Sequence, residues 1–220
     1  METADLIRAY KALPTEALTI ITWEAVPYAD REKYVPRIMS SDIRAMVPDC
    51  KMAGVAVTVK EPKLCWNELE AIGPGTVLVI DATGTEKSVW GQITTCIAKL
   101  RGAEGVIVDG YTQHASRLRK IGLPVYARGA RPLFEGCQME GNINVPIECG
   151  GVRIEPGDFV IGDEDGIIVL TRDDAERLLH GAQRISQMHH FLMQKMDEGH
   201  DYLQMPGIKD MWGTKVAPHG

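Results

Sequence analysis

Two short stretches hold the residues best suited to chemistry. One runs Asp81-Ala-Thr-Gly-Thr-Glu86 and on to Trp90-Gly-Gln-Ile93; the other is Asp109-Gly-Tyr-Thr-Gln-His114. Each follows an apolar, β-branched run and leads into helical spacing, so each reads as a polar turn between a strand and a helix. A helix starting at such a turn presents unpaired N–H groups and the positive end of its dipole, which suits a carboxylate or a phosphate. Two such starts on neighbouring strands would seat a small anion, with the Gly91, Gln92 and Ile93 amides in one of them. The alternative is a pair of ordinary turns in which Asp and Gly serve only geometry.

Other reactive patterns are missing. The chain has no GxxxxGK[ST] and no GxGxxG behind a strand, so no nucleotide cofactor is expected. It has no GxSxG nucleophile turn. Cys50, Cys65, Cys96, Cys137 and Cys149 are odd in number and form no CxxC pair, which fits reduced thiols in a cytoplasmic protein. His189 and His190 are adjacent, so they cannot share a metal from one helix face. His189 falls in register with Leu178, Ala182, Ile185, Leu192 and Met196. It is either a packed ring or one delivered into a pocket. With 24 Lys+Arg against 30 Asp+Glu, a net charge of -6 leaves no basic surface for nucleic acid. No apolar run approaches the roughly 20 residues of a membrane span.

The elements that must position the two turns follow from periodicity. Gly54–Val59, Val77–Ile80, Val106–Val108 and Leu123–Ala127 read as strands. Val89, Ile93, Ile97 and Leu100 predict a helix over 88–100, and a second short helix covers 113–120. Strands alternating with helices imply parallel βαβ crossovers. Beyond them lie short strands at Asn144–Ile147 and Val152–Ile154, then a hairpin pairing Phe159–Ile161 with Ile167–Leu170. A long helix over 173–198 closes the fold, capped by Thr171 with Asp174 and stopped by Gly199. The organisation expected is a helical extension over 1–48, an α/β domain over 49–200 and a tail over 201–220. Tyr202 and Trp212 suit that tail to packing on a neighbouring subunit. At 220 residues, 45% hydrophobic and 25% charged, the chain can bury a sizeable core.

Taken in order, Gly73-Pro-Gly-Thr-Val-Leu-Val-Ile-Asp81, Trp90-Gly91, Arg101-Gly-Ala-Glu-Gly-Val-Ile-Val-Asp-Gly110, Leu123-Pro-Val-Tyr-Ala-Arg-Gly129, Pro156-Gly-Asp158 and Asp163-Glu-Asp-Gly166 form a series. It resembles the RraA-like family over residues 50–200. That family includes 4-hydroxy-4-methyl-2-oxoglutarate aldolases, 4-carboxy-4-hydroxy-2-oxoadipate aldolases and the RraA regulators of ribonuclease E. The resemblance implies an αββα sandwich with a C-terminal hairpin and a long C-terminal helix. It also implies assembly as a homotrimer or hexamer, with sites at subunit seams, a divalent metal (Mg, Mn or Zn) and a small anionic carboxylate substrate.

The family's aldolase signature is an acidic residue, twenty residues, Arg-Asp, two residues and a carboxylate. There the Arg steadies an enolate oxygen and the Asp holds the metal, while backbone amides grip the pyruvyl carboxylate. Here Gln92 takes the first acidic place, Gln113 the Arg, His114 the Asp and Arg117 the last carboxylate. The family often has a Glu near His189 or His190 as well. Mg²⁺ needs hard oxygen ligands, so this set favours it poorly; imidazole suits Zn²⁺ better, with His114 the one candidate ligand. The expected site is therefore Gln113 and His114 as catalytic groups, with imidazole suited to acid–base work near neutral pH. Gly91, Gln92, Ile93 and Arg117 would bind substrate. Three functions stay open: a lyase-like enzyme with this His/Gln/Arg site, a non-catalytic regulator that binds a protein, or a metal-dependent pyruvate-releasing aldolase with ligands recruited from Asp81, Asp109 or Glu86.

Overall fold

The computed structural model describes residues 1–25, 37–60, 66–134 and 142–205. Cys65, Cys137 and Trp212 lie outside them, as does most of the expected tail. In chain order the elements are α1 (Thr3–Lys11), α2 (Thr15–Glu24), β1 (Arg44–Ala45), β2 (Met52–Lys60), α3 (Trp66–Glu70), β3 (Thr76–Asp81), β4 (Ser88–Trp90), α4 (Gln92–Leu100), β5 (Gly105–Thr112), α5 (Ala115–Ile121), β6 (Val125–Ala130), β7 (Asn142–Ile143), β8 (Ile147–Cys149), β9 (Val152–Ile154), β10 (Phe159–Gly162), β11 (Ile167–Leu170) and α6 (Arg172–Asp197).

Among the described residues nine strands form one sheet, in the order β1-β6-β5-β3-β2-β10-β11, with β4 on β5 and β7 on β2. The β2–β3, β3–β5 and β5–β6 pairs are parallel, as the strand–helix alternation predicts. The expected hairpin is β10–β11, antiparallel from Phe159 opposite Leu170 to Gly162 opposite Ile167. β8 and β9 pair separately.

Helices cover both faces of the sheet, which is why its central strands are apolar at nearly every position. The hairpin sorts its side chains by alternation. Phe159, Ile161, Ile168 and Leu170 pack with Leu6, Tyr10, Leu18 and Leu178 of the helices α1, α2 and α6. Val160, Ile167 and Val169 point to the opposite core, shared with Ala98 of α4 and Leu118 of α5. The Tyr10 hydroxyl donates to the Ala175 carbonyl at 2.6 Å and fixes α1 against the start of α6; burial pushes its pKa up. The Thr171 hydroxyl accepts from the Asp174 amide at 3.1 Å, so α6 is capped as expected; such a cap contributes about 1 kcal/mol. His189 is half-buried, 3.6 Å from a Glu16 carboxylate oxygen across the α2–α6 contact. No helix among the described residues is long and apolar enough to cross a membrane.

Two elements depart from expectation. The strand expected at Asn144–Ile147 is broken: Asn144 takes a positive φ of 53° and Pro146 follows, so the strands are Asn142–Ile143 and Ile147–Cys149 on either side. The other departure sits at the site. The helix expected over 88–100 begins only at Gln92, because Ser88–Trp90 form a parallel strand on β5. Val89 and Trp90 are strand-forming residues, and they are buried to 2% and 1% exposure. The apolar spacing also marks the wrong face of α4. Ile93 and Leu100 stay 69% and 87% exposed, while the smaller Thr95 and Ala98 let the helix approach the sheet.

Candidate active site

The site lies at the carboxyl ends of parallel strands, where ligands of open α/β sheets bind. Backbone hydrogen bonds stitch three chain segments together there. The Ser88 amide donates to the Leu133 carbonyl at 2.7 Å, and the Gln113 amide to the Trp90 carbonyl at 2.9 Å. The Arg131 amide donates to the Thr112 carbonyl at 2.8 Å. The Ser88 hydroxyl bonds the carbonyls of Thr112 and Arg131. At the turn into α4 the Trp90 indole N–H donates to Thr95 Oγ1 at 2.8 Å, and that hydroxyl donates to the Gly91 carbonyl at 2.7 Å. The Gly91 amide donates to Thr94 Oγ1 at 3.1 Å. The positions of residues 91, 113 and 131 are thus set by main chain and buried polar groups.

On this floor the expected residues converge. His114 precedes α5 in the left-handed conformation, at φ 62° and ψ 37°. A non-glycine residue there carries about 1 kcal/mol of strain or more. That backbone turns the ring toward α4, where Nδ1 is a long contact, 3.5 Å, from the Gln92 amide nitrogen. Gln113, His114, Ala130, Arg131 and Pro132 line an open cleft of about 360 Å³. Gln92, Ile93 and Arg117 line an adjoining groove of about 560 Å³ between α4 and α5, with Cys96 and Lys120 on its walls. Gln92 of the groove and His114 of the cleft are in contact with each other.

The expectation of two paired helix starts needs one correction. α4, with nine residues, has a developed N-terminus, whereas α5 has only seven and contributes chiefly the ring of His114. Gly91 is needed for the closeness of these groups. A Cβ there would stand 3.0 Å from both Gln113 Cγ and His114 Nδ1. Gly91→Ala is expected to push both side chains aside and lower turnover on the order of 10²-fold. Its effect on stability should stay within about 1 kcal/mol, since the neighbouring side chains are partly free to move. Steady-state kinetics beside a thermal melt measures both.

Sequence reasoning missed Arg131. Its guanidinium carbon lies 4.0 Å from the Tyr111 ring centroid, and Nη1 pairs with the Glu86 carboxylate. It stands just past the end of β6, and the rule that pointed to His114, a polar residue at the carboxyl end of a parallel strand, would have found it.

The carboxylates considered as metal ligands are engaged elsewhere. Asp109 is 2% exposed; its oxygens accept from Arg128 Nε at 2.5 Å and from the Gly150 amide at 2.6 Å. Asp81 accepts from the Thr83 hydroxyl at 2.7 Å, and Glu86 is held by Arg131. Among the described residues no group of three His, Cys, Asp or Glu side chains stands ready to hold a metal ion. The described lining of the cleft offers imidazole, carboxamide and guanidinium, a donor set that does not fit a hard divalent cation. Cys149, beside Asp109, is buried, and burial pushes its thiol pKa well up, so it packs rather than reacts.

A mixed α/β fold with a polar cleft at its strand ends, a C-terminal hairpin and a long final helix defines the class. The profile of the RraA-like family, described as Aldolase/RraA, matches residues 27–169, and the chain belongs to that family. A protein of Halalkalibacterium halodurans named "Putative 4-hydroxy-4-methyl-2-oxoglutarate aldolase" is 38% identical over 151 residues, covering 66% of this chain and 72% of its own. One of the same name from Shewanella oneidensis is 41% identical over 124 residues, covering 53% of this chain and 73% of its own. Among solved structures, RraAS2 of Streptomyces coelicolor, described as an unusual member of the RNase ES inhibitor RraA protein family, superposes with a TM-score of 0.71. It is 27% identical and covers 85% of this chain and 94% of its own.

Proposed function

We propose that the cleft is the active site of a lyase-like enzyme that cleaves a carbon–carbon bond in a small carboxylated oxo or hydroxy acid. The observation that carries this reading is that Gln113 and His114 line one open cleft while the start of α4 reaches it, the Gln92 amide nitrogen standing 3.5 Å from the His114 ring although 22 residues separate the two in sequence. The names of the relatives supply the substrate class, a hydroxylated 2-oxo acid.

The chemistry divides among the chain's own groups. Amides at the start of α4 meet the acid's carboxylate. The Gln113 carboxamide donates to the 2-oxo oxygen, where negative charge grows as the bond breaks. His114 takes the proton from the substrate hydroxyl. The electrons of the broken carbon–carbon bond pass into the enolate of the released 2-oxo acid, and the same ring returns its proton to the enolate carbon. Assembly of copies of this chain as a trimer or hexamer is part of the reading. It is supported by the exposed Ile93 and Leu100 on α4, beside the groove.

The test is a screen of hydroxylated 2-oxo acids for release of pyruvate, read by a coupled dehydrogenase. Saturable turnover above a buffer blank supports the proposal. A second reading, a non-catalytic regulator, draws on the likeness to RraAS2 and on the loss of every signature carboxylate. Absence of turnover together with stoichiometric binding of a protein partner would favour that alternative.

A further inference from the structure

We propose that Arg131 joins the α4 amides in meeting the negative charge of the bound acid, with no divalent cation taking part. This rests on the reading of the cleft as a small-acid site and specifies how that site holds its ligand. The first ground is the donor set. Among the described residues, the polar side chains lining the cleft are those of Gln113, His114 and Arg131. Among the described residues the carboxylate beside the cleft, that of Glu86, is already paired with Arg131. Asp109 is locked to Arg128 and Gly150 on the inner side of the sheet. A hard cation would find a guanidinium and an imidazole where it needs several oxygens.

The second ground is the preparation of Arg131 itself. Its amide is fixed to the Thr112 carbonyl at 2.8 Å. Its guanidinium carbon sits 4.0 Å from the Tyr111 ring centroid, and Glu86 holds Nη1. Among the described residues, Nε and Nη2 have no partner. These two nitrogens form one edge of the planar fork that matches a carboxylate through two parallel hydrogen bonds. The group is therefore oriented before ligand arrives, with a bidentate edge still to be satisfied. Glu86 and Tyr111 act as positioning residues: they aim the cation and touch no substrate. Arg117 and Lys120 on the wall of the adjoining groove add positive charge on the approach.

Ligand-observed NMR titration of pyruvate into the full chain tests this, once with EDTA and once with MgCl2. The expected result is the same dissociation constant in both conditions, to within about twofold. Arg131→Gln should weaken binding about tenfold or more, the loss typical of one charge-assisted pair, and Arg131→Lys should fall between. A two-dimensional amide spectrum of each variant checks the fold. Binding seen only with Mg²⁺, or unchanged in a folded Arg131→Gln, overturns the inference and leaves the small-acid site standing. Failure of pyruvate to saturate the protein under either condition overturns both.

Discussion

Replacing His114 with asparagine is expected to lower kcat by about 10²- to 10⁴-fold, the range lost when a positioned proton carrier is removed. Asparagine is the informative choice because it tolerates the left-handed backbone that His114 adopts, at φ 62°. His114→Ala would confound the loss of the ring with backbone strain. His114→Gly separates the two further: it relaxes the backbone and should leave thermal stability equal or higher, yet be as inactive as the asparagine variant. Substrate affinity should change little for all three, since the ring is assigned to proton transfer and Arg131 to binding. Turnover retained within threefold in His114→Asn would remove His114 from the mechanism.

Asp109→Ala is expected to cost about 3 kcal/mol of folding free energy, the largest stability effect predicted for this chain. Asp109 joins three distant parts of the sequence. Arg128 lies 19 residues away and Gly150 lies 41 residues away, and both donate to it, while Arg128 also reaches Asp42 at 3.3 Å. Removing the carboxylate strands the buried Gly150 amide and leaves the guanidinium with only its longer contact to Asp42. Asp109→Asn keeps one acceptor but sets an NH2 group against the other donor, so it should lose an intermediate amount. Urea unfolding followed by circular dichroism measures both. A midpoint change in Asp109→Ala worth less than about 1 kcal/mol at unchanged slope would contradict this account.

These two residues also mark what the sequence makes legible. The central parallel strands, the hairpin and the capped final helix follow from local periodicity and turn chemistry, and there the reading and the structure agree. The meeting of Gln92 with His114 was legible too, because both follow from the rule that turns at the ends of neighbouring parallel strands share a crevice. What escaped depends on tertiary context. Asp109 looked like a candidate metal oxygen because nothing near it in sequence announces Arg128 and Gly150 as its partners. Val89 lies in helical phase with Ile93 by coincidence, so the strand Ser88–Trp90 was hidden inside an apparent helix. Arg131 sits in a turn without periodicity, and its role emerges only when Tyr111 and Glu86 close around it.

The stitching beneath the cleft has a consequence for how such a protein diverges. Anchorage there is carried by carbonyls, amides and the hydroxyls of Ser88 and Thr95. The side chains of Gln92, Gln113 and Arg117 make none of these bonds, and that of His114 adds only a long contact to the Gln92 amide. Exchanging acid for amide, or carboxylate for imidazole, at those positions leaves the scaffold's own bonds intact. A lineage is then free to trade one chemistry for its electrostatic opposite by a handful of point changes, without passing through an unfolded ancestor.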